Sequence, residues 1–251
     1  MTEPASRAAA DEPRSPWLRG GFVLAAAFVG FVAVIGAAVA LGPSGSGTGD
    51  TTPQASSAHT DGPPRPASTG SGASCPALVD TGQNVPDAAP GGVTWALYHA
   101  VALPSSEAAG PAVTNGDVAR CYARTPVGAL LATTQISVRY LAAEDWASVT
   151  RTQTVGVGRD AYVAERTKAE QTASPNQENS AHGQIAGFRF VTYSETTAVL
   201  QTVWRFPDGR MQAATTTVLW QRDDWKLEYP AAPTAPVPVD SLAGYVEWGG
   251  L

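Results

Sequence analysis

The sequence offers three histidines and two cysteines, and acid–base, nucleophilic or metal chemistry has to be sought around them. His59 lies in a Ser/Thr/Pro-rich stretch. His99 lies in an apolar, strand-like stretch, where a hydrogen-bonded packing role is the usual one. His182 follows a polar loop. No His, Cys or acidic pair stands at metal-ligand spacing. "VGVGR", Val155 to Arg159, contains glycines but does not follow a strand in a βαβ unit, so it does not read as a phosphate loop. There is no GxSxG and no Ser-His-Asp neighbourhood. Glu144-Asp145 reads as a loop and helix cap. Were the fold to form a cup with a polar floor, Asp160, Tyr162 and His182 are the residues to test there, and no spacing selects among them. The expectation is a protein that is not an enzyme, with no catalytic residue, cofactor site or metal site.

Aromatic residues raise a second possibility. "VLWQRDDWKLEYP", Val218 to Pro230, holds Trp220, Trp225 and Tyr229, which could form a stacking platform or the core of a hairpin. Trp225, Leu227 and Tyr229 alternate with Lys226 and Glu228, as a half-buried strand requires. The reading is packing between sheet and helix, with Trp220 at a rim.

The elements that carry these residues fall into four regions. Residues 1–19 form a polar tail. Residues 20–42, "GGFVLAAAFVGFVAVIGAAVALG", carry no charge. As a helix they reach about 35 Å, against a bilayer core of about 30 Å. Arg14 and Arg19 flank the N-terminal side and the next charge is Asp50, so the N-terminus is expected in the cytoplasm and the rest outside. Trp17 fits an interfacial anchor. The lipid bilayer is thus the first expected partner. A cleaved signal peptide is the alternative, with Ala38-Val39-Ala40 as the site, although the run exceeds a usual h-region. Residues 43–74 are Gly, Ser, Thr, Pro and Ala, too apolar-poor to offset chain entropy, and read as a disordered linker. Residues 75–251 carry the fold.

The formal net charge of −6 lies entirely beyond the apolar run, because three arginines balance three acids in the tail. Lysine occurs only at Lys168 and Lys226. An acidic domain without a basic stripe excludes nucleic acid as the expected partner. Outside the membrane an even pair of cysteines usually forms a disulfide, so Cys75 and Cys121 are expected to pin the linker's end to the domain. Two unpaired buried thiols are the alternative.

Within the domain, Gly91 to Pro104 reads as one extended segment, and Pro104 to Asn115 as loop. "TPVGALLATTQISVRYLAA" is helical, with Pro126 in its first turn and Val127, Leu130, Leu131, Thr134, Val138 and Leu141 on one face. Gln135 and Arg139 mark its polar stripe. Asp145 caps a short second helix, and Gly158 to Ala173 gives a third. The period then changes to two. "QIAGFRFVTYSE" sets Phe188 and Phe190 against Arg189, and "TAVLQTVWRF" sets Leu200, Trp204 and Phe206 against Gln201 and Arg205. Pro207 to Arg210 and Arg222 to Asp224 make tight turns. Helices followed by an antiparallel meander indicate an α+β domain with helices on one sheet face. Arg189, Gln201 and Arg205 alternate with core residues and form the candidate partner-binding surface.

"TWALYHAVALPSSEAAGP", "CYARTPVGALLA", "QIAGFRFVTY", "VWRFPDGRMQ" and "LAGYVEWGGL" together resemble a family of membrane-anchored proteins encoded by actinobacterial integrative conjugative elements and plasmids. The resemblance covers about Cys75 to Leu251 and implies a conjugation-associated context, with no catalytic residue to carry over. The order of tail, span, linker, helices and sheet is similar in architecture to bitopic scaffold subunits of type IV secretion machines. That likeness implies a nuclear-transport-factor-like (cystatin-like) cone as the outer domain, and no motif is shared. The expected function is a non-enzymatic, membrane-anchored scaffold or accessory component of a conjugative transfer apparatus, with envelope proteins or copies of itself as partners. A surface-tethered ligand-binding or enzymatic cone, or an exported accessory protein of the mobile element, are the alternatives.

Overall fold

A computed structural model describes residues 74–172 and 183–250. The tail, the apolar run, nearly all of the linker, Arg14, Trp17, Arg19, His59 and His182 lie outside the described residues.

The chain opens with two hairpins. β1 (Thr94–Tyr98) pairs with β2 (Val101–Ser105), and β3 (Val113–Asn115) with β4 (Val118–Arg120), both antiparallel. The segment expected as a single extended stretch therefore folds back at His99-Ala100, with His99 at φ 50°. The stretch expected as loop contains the end of β2, a bridge between Ser106 and Gly110, and all of β3.

Three helices follow. α1 (Pro126–Ala142) begins as its sequence dictates: Thr125 caps it by accepting from the Gly128 N–H at 3.1 Å, and Pro126 occupies the first turn. α2 (Trp146–Gln153) is capped by Asp145, which accepts from the Ser148 N–H at 3.0 Å. β5 (Thr154–Val155) leads to α3 (Arg159–Thr172).

β6 (Gln184–Tyr193), β7 (Thr197–Arg205), β8 (Met211–Gln221) and β9 (Asp224–Glu228) form the expected antiparallel meander. Trp225 sits on β9, and two short strands, β10 (Val237–Val239) and β11 (Val246–Glu247), follow it. The sheet order is β11-β6-β7-β8-β9-β5, with β5 parallel to β9. β10 pairs with the first residues of β8, and β9 with its last four. The result is a mixed α+β domain with α1 packed on β7, β8 and β9.

Between α1 and the sheet, Trp225, Phe188, Leu130, Leu131, Ile136 and Leu200 are fully buried. Leu227 and Tyr229 are buried with Trp225, on the face that alternation assigns to the core. Trp220 is half-buried, edge-on to Trp225 at 5.5 Å, with the Arg124 guanidinium 5.6 Å from its ring. The platform reading fails here because Trp225 is covered by the helix layer. α1 is buried even along its polar stripe. Gln135 donates to the Pro104 carbonyl at 2.8 Å, and Arg139 donates to the Asp117 carbonyl at 3.0 Å, so both side chains fasten the N-terminal hairpins to the helix.

Candidate functional site

Cys75 and Cys121 are joined by a disulfide. It fastens the first residues of the domain to the strand-end that precedes α1. Cys121 has φ 70°, and the backbone there is held by the hairpin of β8 and β9. The Asp224 carboxylate accepts the N–H groups of Cys121 at 3.1 Å and Tyr122 at 3.0 Å, and pairs with Lys226 at 3.3 Å. Trp225 Nε1 donates to the Ala123 carbonyl at 2.9 Å. A buried carboxylate needs such partners, and here they come from two distant parts of the chain. On the other side the Arg120 guanidinium lies 3.4 Å from Cys121 Sγ.

The outer face of the sheet carries the residues expected to meet a partner. Arg189 and Gln201 are register partners on β6 and β7. Arg189 Nε donates to Gln201 Oε1 at 2.8 Å, and Gln201 Nε2 donates to Thr215 Oγ1 at 3.0 Å. A residue that spacing did not single out completes the cluster. The Tyr245 hydroxyl donates to Gln201 Oε1 at 2.9 Å, and the Arg189 guanidinium stacks 4.9 Å from the Tyr245 ring. Tyr245 belongs to a C-terminal strap, residues 237–250, laid across the outer face through β10 and β11. Gly187 permits this contact, since a Cβ there would lie 2.8 Å from the Val246 carbonyl oxygen. Two of the three surface residues are therefore brought together and bound within the molecule.

Arg205 stands apart from that pair. It lines a groove of about 640 Å³ where the β1–β2 hairpin, the end of the sheet and the strap meet. Trp95, Ile185, Phe206 and Trp248 give the groove its apolar wall, and Arg205 and Glu247 are charged residues on its border. Trp95 and Trp248 pack edge-on at 4.8 Å, and Trp248 packs on Phe188 at 5.4 Å. Gln184 also lines the groove, but its amide is committed: Oε1 accepts the Ala102 N–H at 3.0 Å, and Nε2 donates to the Ala100 carbonyl at 2.6 Å.

Among the described residues, the others considered for chemistry are held by packing and local bonds. Asp160 is exposed and pairs with its neighbour Arg159 at 2.9 Å. Tyr162 is buried, its ring tilted against Tyr229 at 4.8 Å, and Arg166 donates to its hydroxyl at 2.9 Å. Burial pushes the Tyr162 phenol up. The ring of His99 stands edge-on to Tyr98 at 4.6 Å in an exposed turn. Beside it, the Tyr98 hydroxyl donates to Asp117 Oδ1 at 2.7 Å, and Asp117 Oδ2 accepts the Asp145 N–H at 3.1 Å. Burial, then the bond to Asp117, pushes Tyr98 up to about 12, while the same bond holds Asp117 below the usual carboxylate range. The Arg139 guanidinium lies 4.2 Å from the Tyr98 ring, so the cluster locks hairpin to helix. In "VGVGR" the glycines serve packing. A Cβ on Gly158 would lie 2.0 Å from the Pro230 carbonyl oxygen, and one on Gly156 would lie 2.4 Å from that of Tyr229. Among the described residues no group of three or more His, Cys, Asp and Glu could hold a metal ion.

The fold and its surface thus define a disulfide-fastened α+β domain wrapped by a C-terminal strap, with a groove at the seam. A family model described as Domain of unknown function (DUF8175) matches residues 54–247, and the chain belongs to that family. Neither a curated protein nor a solved structure matches the chain.

Proposed function

We propose that the protein is a non-enzymatic, membrane-anchored scaffold or accessory component of a conjugative, type IV secretion-like transfer apparatus. Residues 20–42 span the membrane, the N-terminus is cytoplasmic, and the domain from residue 75 works outside the cell membrane among envelope proteins or copies of itself. The observation that carries this reading is the Cys75–Cys121 bond. It sits where the low-complexity stretch meets the domain, so a pull through the linker is delivered to the β8–β9 hairpin and the core. Such bonds persist in an oxidising, extracytoplasmic setting. The conjugative context rests on the resemblance of residues 75–251 to proteins of mobile elements.

The succession of three helices and a meander, with β5 parallel on β9, supports a cone of the nuclear-transport-factor-like type. Large side chains fill the space between helix layer and sheet, which favours a scaffold over a cone with a ligand in its cup. The test is site-specific photo-crosslinking from the outer face, at Arg189 or Arg205, in mating donor cells. Cross-links to envelope transfer proteins or to a second copy are expected. Absence of any cross-link to either in transfer-competent donors overturns the reading.

A further inference from the structure

We infer that the seam groove is a peptide-binding site, which takes a short segment of an envelope partner with an acidic and a basic side chain on either side of an apolar one. This deepens the partner-binding reading above and rests on it. The volume of about 640 Å³ lies within the range of ligand sites, and the groove forms where three separately built parts of the chain meet. Its charged residues are available. Among the described residues neither the Arg205 nor the Glu247 side chain makes a hydrogen bond or ion pair; only their backbones are used, in the pairing of β7 and β11. One positive and one negative group on the same groove suit a ligand bearing both charges, and they disfavour a simple anion or cation. The apolar wall specifies what lies between the charges. Trp248 is buried and packs against Trp95 and Phe188, and Phe206 has the Arg210 guanidinium 5.5 Å from its ring. Trp248 is buried and Trp95 and Phe206 are half-buried, so the wall offers a partly enclosed apolar socket that suits an aliphatic side chain. The Gln184 amide accepts one bond from the hairpin and donates one to it, so the charged groups that set direction and specificity are Arg205 and Glu247.

The test uses the purified full-length chain in detergent. Its probes are fluorescein-labelled hexapeptides, Gly-Asp-Leu-Leu-Lys-Gly and the reversed order, read by anisotropy. Neutral peptides with Asn for Asp and Gln for Lys serve as the comparison, together with a labelled chitooligosaccharide. One charged peptide is expected to bind, and its neutral counterpart to bind about tenfold more weakly. Arg205→Glu should weaken binding of that peptide by about tenfold, and the double exchange R205E/E247R should restore binding with preference for the opposite peptide order. Both side chains are exposed, so retention of the Cys75–Cys121 bond and of the far-UV circular dichroism spectrum certifies folding of each variant. Equal binding of charged and neutral peptides overturns the inference. So does binding of the oligosaccharide alone, or no binding of any probe. Because the readout is made in vitro, its failure leaves the transfer role to be judged by mating, and failure in mating leaves the groove to be judged here.

Discussion

Asp224 and Cys121 meet across a sequence separation of 103 residues, with the carboxylate accepting the Cys121 N–H at 3.1 Å. The contact couples the N-terminal end of the described domain to the sheet. Asp224→Ala leaves the buried N–H groups of Cys121 and Tyr122 without an acceptor and Lys226 without its partner. A loss of about 3–5 kcal/mol is expected by chemical denaturation. Asp224→Asn, which keeps one acceptor, should lose less. Equal stability of wild type and Asp224→Ala would contradict this coupling.

Removing the bond itself has a different signature. Replacing Cys75 and Cys121 by serine frees a loop with ends 46 residues apart, and the chain-entropy relation gives about 4 kcal/mol. Thermal unfolding of wild type with and without reductant should reproduce the shift seen in the double variant. Identical melting in both conditions would contradict it.

Trp225→Ala should destabilise the domain by about 3–5 kcal/mol, because the ring is fully buried and its Nε1 supplies the acceptor-seeking bond to Ala123. Denaturant midpoints check this. An unchanged midpoint would return Trp225 to the surface.

Alkaline pH should unfold the domain in a defined window. Burial pushes Tyr98 and Tyr193 up to about 12 and raises Tyr122, Tyr140, Tyr162 and Tyr229 as well. An unfolded tyrosine ionises near 10. Folded values above the unfolded value mean that this stability is fully present below pH of about 10 and is lost as pH rises through about 12. Absorbance at the phenolate band and circular dichroism should change together there. Ionisation of these six phenols near pH 10 in a chain that stays folded would contradict the burial.

Where periodicity is long, sequence and structure agree. α1 shows both its cap and its first-turn proline, and the meander shows its turns, but alternation breaks on β7, where Val203 on the Gln201 face is fully buried and Trp204 is only half-buried. Leu141 is the exception on α1, exposed in the last turn although its spacing matches the apolar face. Short elements escape periodicity. The β1–β2 turn has no Gly, Pro, Asn or Asp at its tip, since His99 itself takes positive φ. The β3–β4 hairpin did carry a signal in Asn115-Gly116, with Gly116 at φ 57°, but strands of three residues are too brief to show alternation. At the candidate site, the pairing of Arg189 with Gln201 follows from register, and so does the separation of Arg205 from them. The strap does not follow. Its two- and three-residue strands lie in a stretch rich in Pro and Gly, and only tertiary contact brings Tyr245 and Trp248 onto the sheet.

Topology can be checked apart from function. With positive charge flanking only the N-terminal side of residues 20–42, a reporter active outside the membrane and fused after Leu251 should work. Activity from a cytoplasmic reporter alone at that position would contradict the proposed orientation. Retention in membranes after a carbonate wash separates an anchor from a cleaved signal.

Transfer itself is the most direct measurement. A donor with this gene cleanly deleted should transfer its element less often, with excision and growth unchanged, and the wild-type gene supplied in trans should restore the frequency. Wild-type transfer frequency in the clean deletion would contradict a role in the apparatus.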